Sequence, residues 1–217
     1  DRTKIVSVAH VSNVLGTVNP VAQLARLAHD KGAIFIVDGA QSAPHMSVNV
    51  QELGIDAYVC SSHKVYGPTG IGIVWGRRKL LEQIPPYQYG GEMIEHVSFE
   101  ETTFNELPYK FEAGTPDFIG SHAFATAVEY ISAIGLDRIH AYETELLEHL
   151  TQIISQEPSL EILGTAPGKG AVVTFISHQA HAYDLGLLLD QQGVALRTGH
   201  HCAIPLIEGM GHHATIR

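Results

Sequence analysis

The stretch 57–70, AYVCSSHKVYGPTG, decides how the chain is read. An apolar run, Ala57 to Cys60, leads into Ser61, Ser62 and His63. A single lysine, Lys64, follows, and the chain leaves through Gly67, Pro68 and Gly70. A lysine at the end of a buried strand is costly unless it has a partner or a covalent task. Desolvation lowers an amine's pKa, which suits Schiff-base chemistry. The plain alternative for this stretch alone is a surface lysine in a strand-to-loop turn.

The neighbouring segments bear on that choice. IVSVAH at 5–10 reads as a short β-branched strand. Asn19-Pro20 opens a helix whose apolar face is Val21, Leu24, Ala25 and Ala28, and Gly32 ends it. AIFIV at 33–37 is a continuous apolar run, as in a strand covered on both faces. A helical turn at 50–54 and strands at 57–60 and 70–75 follow. This alternation predicts an α/β unit with parallel strands, whose ligands sit beyond the strands' carboxyl ends. His10 and Asn13, Asp38 and Gln41, and Ser61, His63 and Lys64 all fall at such ends.

Downstream, 85–116 shows little periodicity and reads as a long functional or partner-bound loop. Phe124, Ala127, Val128 and Ile131 space as one helix stopped by Gly135. Ile139, Tyr142, Leu146, Leu150 and Ile153 form the stripe of a second, closed by Pro158. Strands at 160–163 and 171–176, a helix at 182–191 and a strand-like 213–216 suggest a second domain. The boundary falls near 137–158, giving domains 1–136 and 137–217.

Composition narrows the function. The 217 residues are 45% hydrophobic and 17% charged, enough for a packed core. A net charge of −10 without a basic cluster argues against nucleic acid as partner. No apolar run approaches the roughly 20 residues that cross a bilayer. Two cysteines, Cys60 and Cys202, make no disulfide framework, so the expected compartment is the reducing cytoplasm. The chain opens at Asp1 without methionine and stops at Arg217 directly after a strand, which reads as a piece of a longer protein.

Several residue types could carry chemistry. Asp38 could accept a hydrogen bond from a protonated pyridine nitrogen, or simply serve a turn. Gln41 could meet a ring oxygen or be a plain loop amide. Ser61 and His63 could bind phosphate. RTGHHCAIP at 197–205 places Cys202 on a loop, where nearby His or Arg raises the thiolate fraction of a cysteine. A metal site made with His200, His201, His212 and His213 lacks zinc spacing, so none is assigned. Arg217 could clamp a carboxylate bidentately or merely be exposed.

Together, VSNVLG (11–16), VDGAQSAPH (37–45), SSHKVYGPTGIG (61–72), YGGEMI (89–94), FEAGTP (111–116) and RTGHHCAIP (197–205) resemble a cysteine desulfurase of the SufS/CsdA type. That type lies within the fold-type I enzymes that use pyridoxal 5'-phosphate (PLP), in the class V aminotransferase group. The resemblance runs over essentially the whole chain. It implies an α/β large-domain sheet, mostly parallel, and a smaller α+β C-terminal domain, both incomplete here. It implies that Lys64 holds PLP and later moves the Cα proton, that Asp38 pairs with the pyridine nitrogen, and that Gln41 meets the ring oxygen. Ser61 and His63 would bind the phosphate. Thr115 would reach the phosphate of a neighbouring subunit's cofactor, so a homodimer is implied.

Asn13, Arg197 and Arg217 would face the substrate carboxylate. Cys202 would take sulfur from L-cysteine, leaving L-alanine, and pass it to an acceptor protein for iron-sulfur cluster assembly. The family is longer at its N-terminus, where it carries a histidine that stacks on the PLP ring, and it continues beyond Arg217. Three alternatives stand beside this reading. They are a selenocysteine lyase acting on L-selenocysteine, a non-catalytic fragment that binds a partner protein, and a metal-binding module on the histidine-rich tail.

Overall fold

A computed structural model describes residues 2–217, which form two compact units interleaved along the chain. The first holds the residues up to Ser7, Ala22–Asp38 and Asn49–Ala133. The second holds Val8–Val21, Gly39–Val48 and Ile134–Arg217.

The first unit is built on a four-stranded sheet ordered β1 (Ile5–Ala9), β2 (Ile34–Asp38), β3 (Ala57–Ser61) and β4 (Gly72–Gly76). Helix α1 (Val21–His29) connects β1 to β2, and the single-turn α2 (Val50–Leu53) precedes β3. Phe35 and Val37 of β2 are fully buried, while Ile34 and Ile36 keep partial exposure, so one face is sealed more tightly than the other. β2 and β3 run parallel, with Asp38 opposite Val59. The sequence predicts a mostly parallel sheet, and β4 is the exception to that order, running antiparallel to β3 with Ser61 opposite Gly72. The link at 62–71 explains the difference, because it holds only one 3₁₀ turn and a parallel return needs a crossover of a dozen or more residues.

Asp56 ties this unit's parts together. Its carboxylate accepts from the Phe35 amide (2.8 Å), meets His29 Nε2 (2.7 Å) and lies 3.4 Å from Arg77 Nε. Arg77 in turn donates to the Ile55 and Gly54 carbonyls at the end of α2. Asn49 caps that helix, accepting from the Gln51 and Glu52 amides.

Beyond β4 lie α3 (Arg78–Gln83) and a hairpin of β5 (Ile94–Val97) and β6 (Thr102–Phe104). The expected irregular stretch 85–116 thus contains antiparallel pairing. Ser98 closes the turn, its hydroxyl accepting from the Glu100 and Glu101 amides. A register shift between Ile94 and His96 breaks the alternation that would have revealed the strands in sequence.

Helix α4 (Phe118–Ile134) buries Phe124, Ala127 and Ile131 as their spacing predicts, while Val128 is exposed. Gly135, at φ +94°, separates it from α5 (Leu136–Ser155).

The second unit's sheet is antiparallel, in the order β7 (Leu160–Leu163), β8 (Thr174–Ser177), β10 (Thr215–Ile216), β9 (Thr198–Gly199). Helix α6 (Ala182–Asp190) lies between β8 and β9 in sequence, and α7 (Ile204–Gly209) between β9 and β10. Ile154, Val173, Phe175, Ala182 and Ile216 form the core, with Leu147, Leu160 and Leu185 against it. The predicted α5 stripe is corrected here. Tyr142, Leu146, Leu150 and Ile153 are exposed, and the inward residues are Leu147 and Ile154, one heptad apart.

Segments 8–21 and 39–48 belong to this unit through specific bonds. The Thr174 hydroxyl donates to the Val14 carbonyl, His45 Nδ1 meets Glu143 at 2.8 Å, and the Ser47 hydroxyl donates to Asp137. Gly16, at φ +70°, accepts from the Gly170 amide at 2.7 Å. A Cβ on Gly16 would stand 2.9 Å from the Gly170 oxygen, so a side chain there would push the two segments apart.

Candidate active site

In the first unit, the sequence-selected residues gather at the carboxyl ends of two adjacent strands. Asp38 ends β2 and Ser61 ends β3. The chain then turns through a 3₁₀ segment, Ser62–Lys64. Asp38, His63 and Lys64 are exposed. A buried lysine, the premise of the sequence argument, is therefore not found in this chain, because the turn carries Lys64 out of the sheet. Its amine makes no hydrogen bond or ion pair among the described residues. Ser62 is fully buried with its hydroxyl unpartnered, and its carbonyl accepts from the Val65 and Gly67 amides, fixing the turn. Gly67 is required there, since a Cβ would lie 2.1 Å from that hydroxyl oxygen.

Cys60 Sγ lies one residue before Ser61 and is half-buried. Burial pushes its thiol pKa up and the Asp38 carboxylate adds to the rise, against a backbone hydrogen bond at Ile73. Thr115 lies apart from these strand ends, in a shallow 250 Å³ cleft with Glu92, Tyr109 and Glu112.

The second unit assembles the remaining residues. Gln41 lines a cavity of 100 Å³ with His45, His140 and Glu143. Asn13, Arg197, Cys202 and Arg217 come together elsewhere in this unit, although Asn13 and Arg217 are 204 positions apart. Arg197 and Arg217 exchange backbone hydrogen bonds of 3.0 and 2.8 Å, extending the β9–β10 pairing. One Arg217 guanidinium nitrogen donates to the Asn13 carbonyl at 2.8 Å, and Asn13 Nδ2 donates to the His201 carbonyl at 2.6 Å. Arg217 is thus held within the unit, not free in solvent. Its pKa is lowered, first by burial and then by Arg197, while Cys202 acts in the opposite direction.

Cys202 is exposed, and Arg197 Nη2 donates to its sulfur at 3.2 Å. His201 and Cys202 both adopt left-handed backbone, at φ +53° and +63°. Two consecutive non-glycine residues in that region store strain of order 1–2 kcal/mol each, a condition typical of functional turns. The turn is closed by the Ala203 amide donating to the His200 carbonyl.

Two further residues of this unit, His10 at a strand end and His201 in the histidine-rich loop, have surroundings that the sequence does not predict. His201 is 2% exposed, and neither ring nitrogen has a partner in hydrogen-bonding geometry. Burial first, then the charges of Arg217 and Arg197, lower its pKa to about 4; the Thr215 backbone near the ring opposes this. His10, at the end of β1, is also buried with an unpartnered Nδ1 and a pKa lowered by burial. Neither environment leaves a signal in sequence spacing. Among the described residues, no group of three His, Cys, Asp or Glu is placed to hold a metal ion, and no helix is long and apolar enough to cross a membrane.

The chain is 49% identical over 216 residues to a protein of Xylella fastidiosa (strain Temecula1) described as "Probable cysteine desulfurase", covering 100% of this chain and 52% of that protein. It is 46% identical over 219 residues to a cysteine desulfurase of Haloferax volcanii, covering 100% of this chain and 51% of that protein. The chain spans about half the length of these curated relatives. Among solved structures it is similar to the Escherichia coli cysteine desulfurase CsdA, with a TM-score of 0.93 and 34% identity over 99% of this chain and 53% of that one. The apo cysteine desulfurase of Thermococcus onnurineus NA1 gives a TM-score of 0.93 and 38% identity, over 98% of this chain and 54% of the other. The family model for aminotransferase class-V matches residues 1–217, from the first strand to the arginine pair. With the α/β fold and the whole of its length matched, this chain belongs to the aminotransferase class-V family.

Proposed function

We propose that the protein containing this chain is a PLP-dependent cysteine desulfurase of the SufS/CsdA type. In this reading it converts L-cysteine to L-alanine and carries the sulfur as a persulfide on Cys202. The observation that carries the reading is Cys202 itself, an exposed thiol on a strained left-handed turn with a guanidinium 3.2 Å from its sulfur. A structural cysteine is usually buried and remote from charge.

The residues of the first unit suit the cofactor by their chemistry. A partner-free amine, a carboxylate at the adjacent strand's end, a hydroxyl and an imidazole are the groups that a pyridine aldehyde phosphate would need. Lys64 would hold it through Nζ, Asp38 would keep the ring nitrogen protonated, Gln41 would meet the ring oxygen, and Ser61 and His63 would take the phosphate. PLP, when bound, supplies an electron sink for the substrate's α-carbon.

Asn13, Arg197 and Arg217 orient the substrate carboxylate in this reading. The Cys202 thiolate attacks the substrate sulfur. A sulfur–sulfur bond forms as the substrate's carbon–sulfur bond breaks, and the electron pair left on carbon is protonated on the way to alanine. Lys64 Nζ handles the proton at the α-carbon. Thr115 serves a neighbouring subunit's site in a homodimer. The persulfide sulfur passes to an acceptor protein for iron-sulfur cluster assembly in the cytoplasm, a reducing compartment that keeps both cysteines free. Residues 1–136 contribute to the PLP-binding domain and 137–217 to the smaller one.

The test is sulfide release from L-cysteine by the full-length protein under reductant. Lys64→Ala and Cys202→Ser should each abolish it, with Cys202→Ser retaining the visible absorbance of bound cofactor. Retained turnover in Cys202→Ser would reassign the nucleophile, and a colourless wild type indifferent to added PLP would remove the cofactor.

A further inference from the structure

The turn that presents Cys202 poses a problem that its backbone bonds do not solve. Residues 201 and 202 both sit at positive φ, where a β-carbon crowds the following carbonyl. Neither is glycine, and among the described residues the backbone of the turn is gripped by two hydrogen bonds, Ala203 N–H to the His200 carbonyl and Asn13 Nδ2 to the His201 carbonyl. The Cys202 side chain is exposed. What remains is the His201 ring, 2% exposed, with both nitrogens unpartnered. The Thr215 backbone lies near the ring without reaching hydrogen-bonding geometry, so the imidazole serves chiefly by filling space in a charged neighbourhood.

We propose that His201 is a positioning residue, a buried anchor that locks the left-handed turn and so holds the Cys202 sulfur against the Arg197 guanidinium. The inference rests on the reading of Cys202 as the sulfur-accepting thiol. The charged and titratable groups around the ring are Arg197 just before β9, Arg217 after β10, and His200 in the same turn. All three oppose a proton on His201 when they are themselves charged, and burial adds to them. The anchor therefore stays neutral where the thiol must react, and Arg197 and Arg217 remain the cations beside the sulfur.

Two substitutions separate anchoring from strain because they pull in opposite directions. Asn tolerates left-handed backbone well but lacks the ring's volume. Leu tolerates it poorly but fills an apolar space of similar size. If strain governs the turn, His201→Asn is the better tolerated. If the buried ring is the anchor, His201→Leu is.

The readout is alkylation of Cys202 by iodoacetamide at pH 7 in the full-length protein, followed by mass spectrometry of the Cys202 peptide. The thiolate displaces iodide, and neither cofactor nor substrate takes part. His201→Asn should slow alkylation about fivefold, the scale of losing one exposed charge contact, while His201→Leu should stay within about twofold of wild type. Between pH 5.5 and 8 the wild-type and Leu profiles should superimpose. Equal loss in both variants, loss in neither, or a histidine inflection near pH 6.5 that disappears in His201→Leu would overturn the proposal. Sulfide release from the same wild-type preparation is scored separately. A protein that alkylates as expected yet releases no sulfide would defeat the functional reading and leave the anchor standing.

Discussion

Arg197 Nη2 donates to the Cys202 sulfur at 3.2 Å, five residues along the chain and across a left-handed turn. Arg197 is itself fixed by paired backbone bonds to Arg217, whose guanidinium reaches the Asn13 carbonyl. The thiol and two guanidinium groups are thus set by one strand pair. Charge-assisted contacts of this kind stabilise a thiolate more than a thiol.

Removing that cation should be felt in turnover. Arg197→Ala in the full-length protein is expected to lower kcat/KM for L-cysteine by at least about tenfold, the loss of one charge-assisted bond near 1.4 kcal/mol. Steady-state sulfide release checks it. Unchanged kcat/KM would make the contact incidental.

Cys60 should behave as the opposite kind of cysteine. Its thiol pKa is raised by burial and by the Asp38 carboxylate. Cys60→Ser should leave sulfide release within about twofold, and site-resolved alkylation at pH 7 should label Cys202 at least about tenfold faster than Cys60. Preferential labelling of Cys60 would contradict this contrast.

Asp56 should matter for stability alone. Its carboxylate serves the Phe35 amide and His29 and faces Arg77, with 15% of its side chain exposed. Asp56→Ala leaves a buried amide unsatisfied and should cost about 2–3 kcal/mol in urea unfolding, with Asp56→Asn costing less. A loss below about 0.5 kcal/mol would show that the three contacts are dispensable.

Acid should destabilise the fold through His201. The unfolded chain takes up this proton near the ordinary value of 6.5, while the folded chain resists until about 4. The contribution is therefore complete above pH 6.5 and falls away as pH drops toward 4, by an amount on the order of 3 kcal/mol. His10, also lowered by burial, adds in the same direction. The urea midpoint should fall over this window, and His201→Leu should flatten the slope. A slope unchanged in that variant would place the acid sensitivity elsewhere.

Much of this was legible in sequence because it depends on local order. The apolar run before Asp38 and the Ser-Ser-His-Lys turn after β3 predict two strand ends, and the structure places them on adjacent parallel strands. Other features depend on what a segment meets later in the chain. The antiparallel β4 follows from link length, and the β5–β6 hairpin is masked by its bulge. The α5 stripe misleads because both faces of that helix carry apolar residues, and only packing selects Leu147 and Ile154. The grouping of Asn13 with Arg197, Cys202 and Arg217 joins residues from both ends of the chain, which spacing cannot reveal. Lys64 shows the limit in another way, since a lysine after an apolar run reads as buried in sequence, while the turn that follows β3 leaves it exposed.

The central claim is that sulfur from cysteine comes to rest on Cys202. Full-length protein should be incubated with L-cysteine without reductant, quenched with iodoacetamide and examined by peptide mass spectrometry. The account predicts one added sulfur atom on the Cys202 peptide, absent in Lys64→Ala. An unmodified Cys202 peptide, or sulfur added at Cys60 instead, would contradict it.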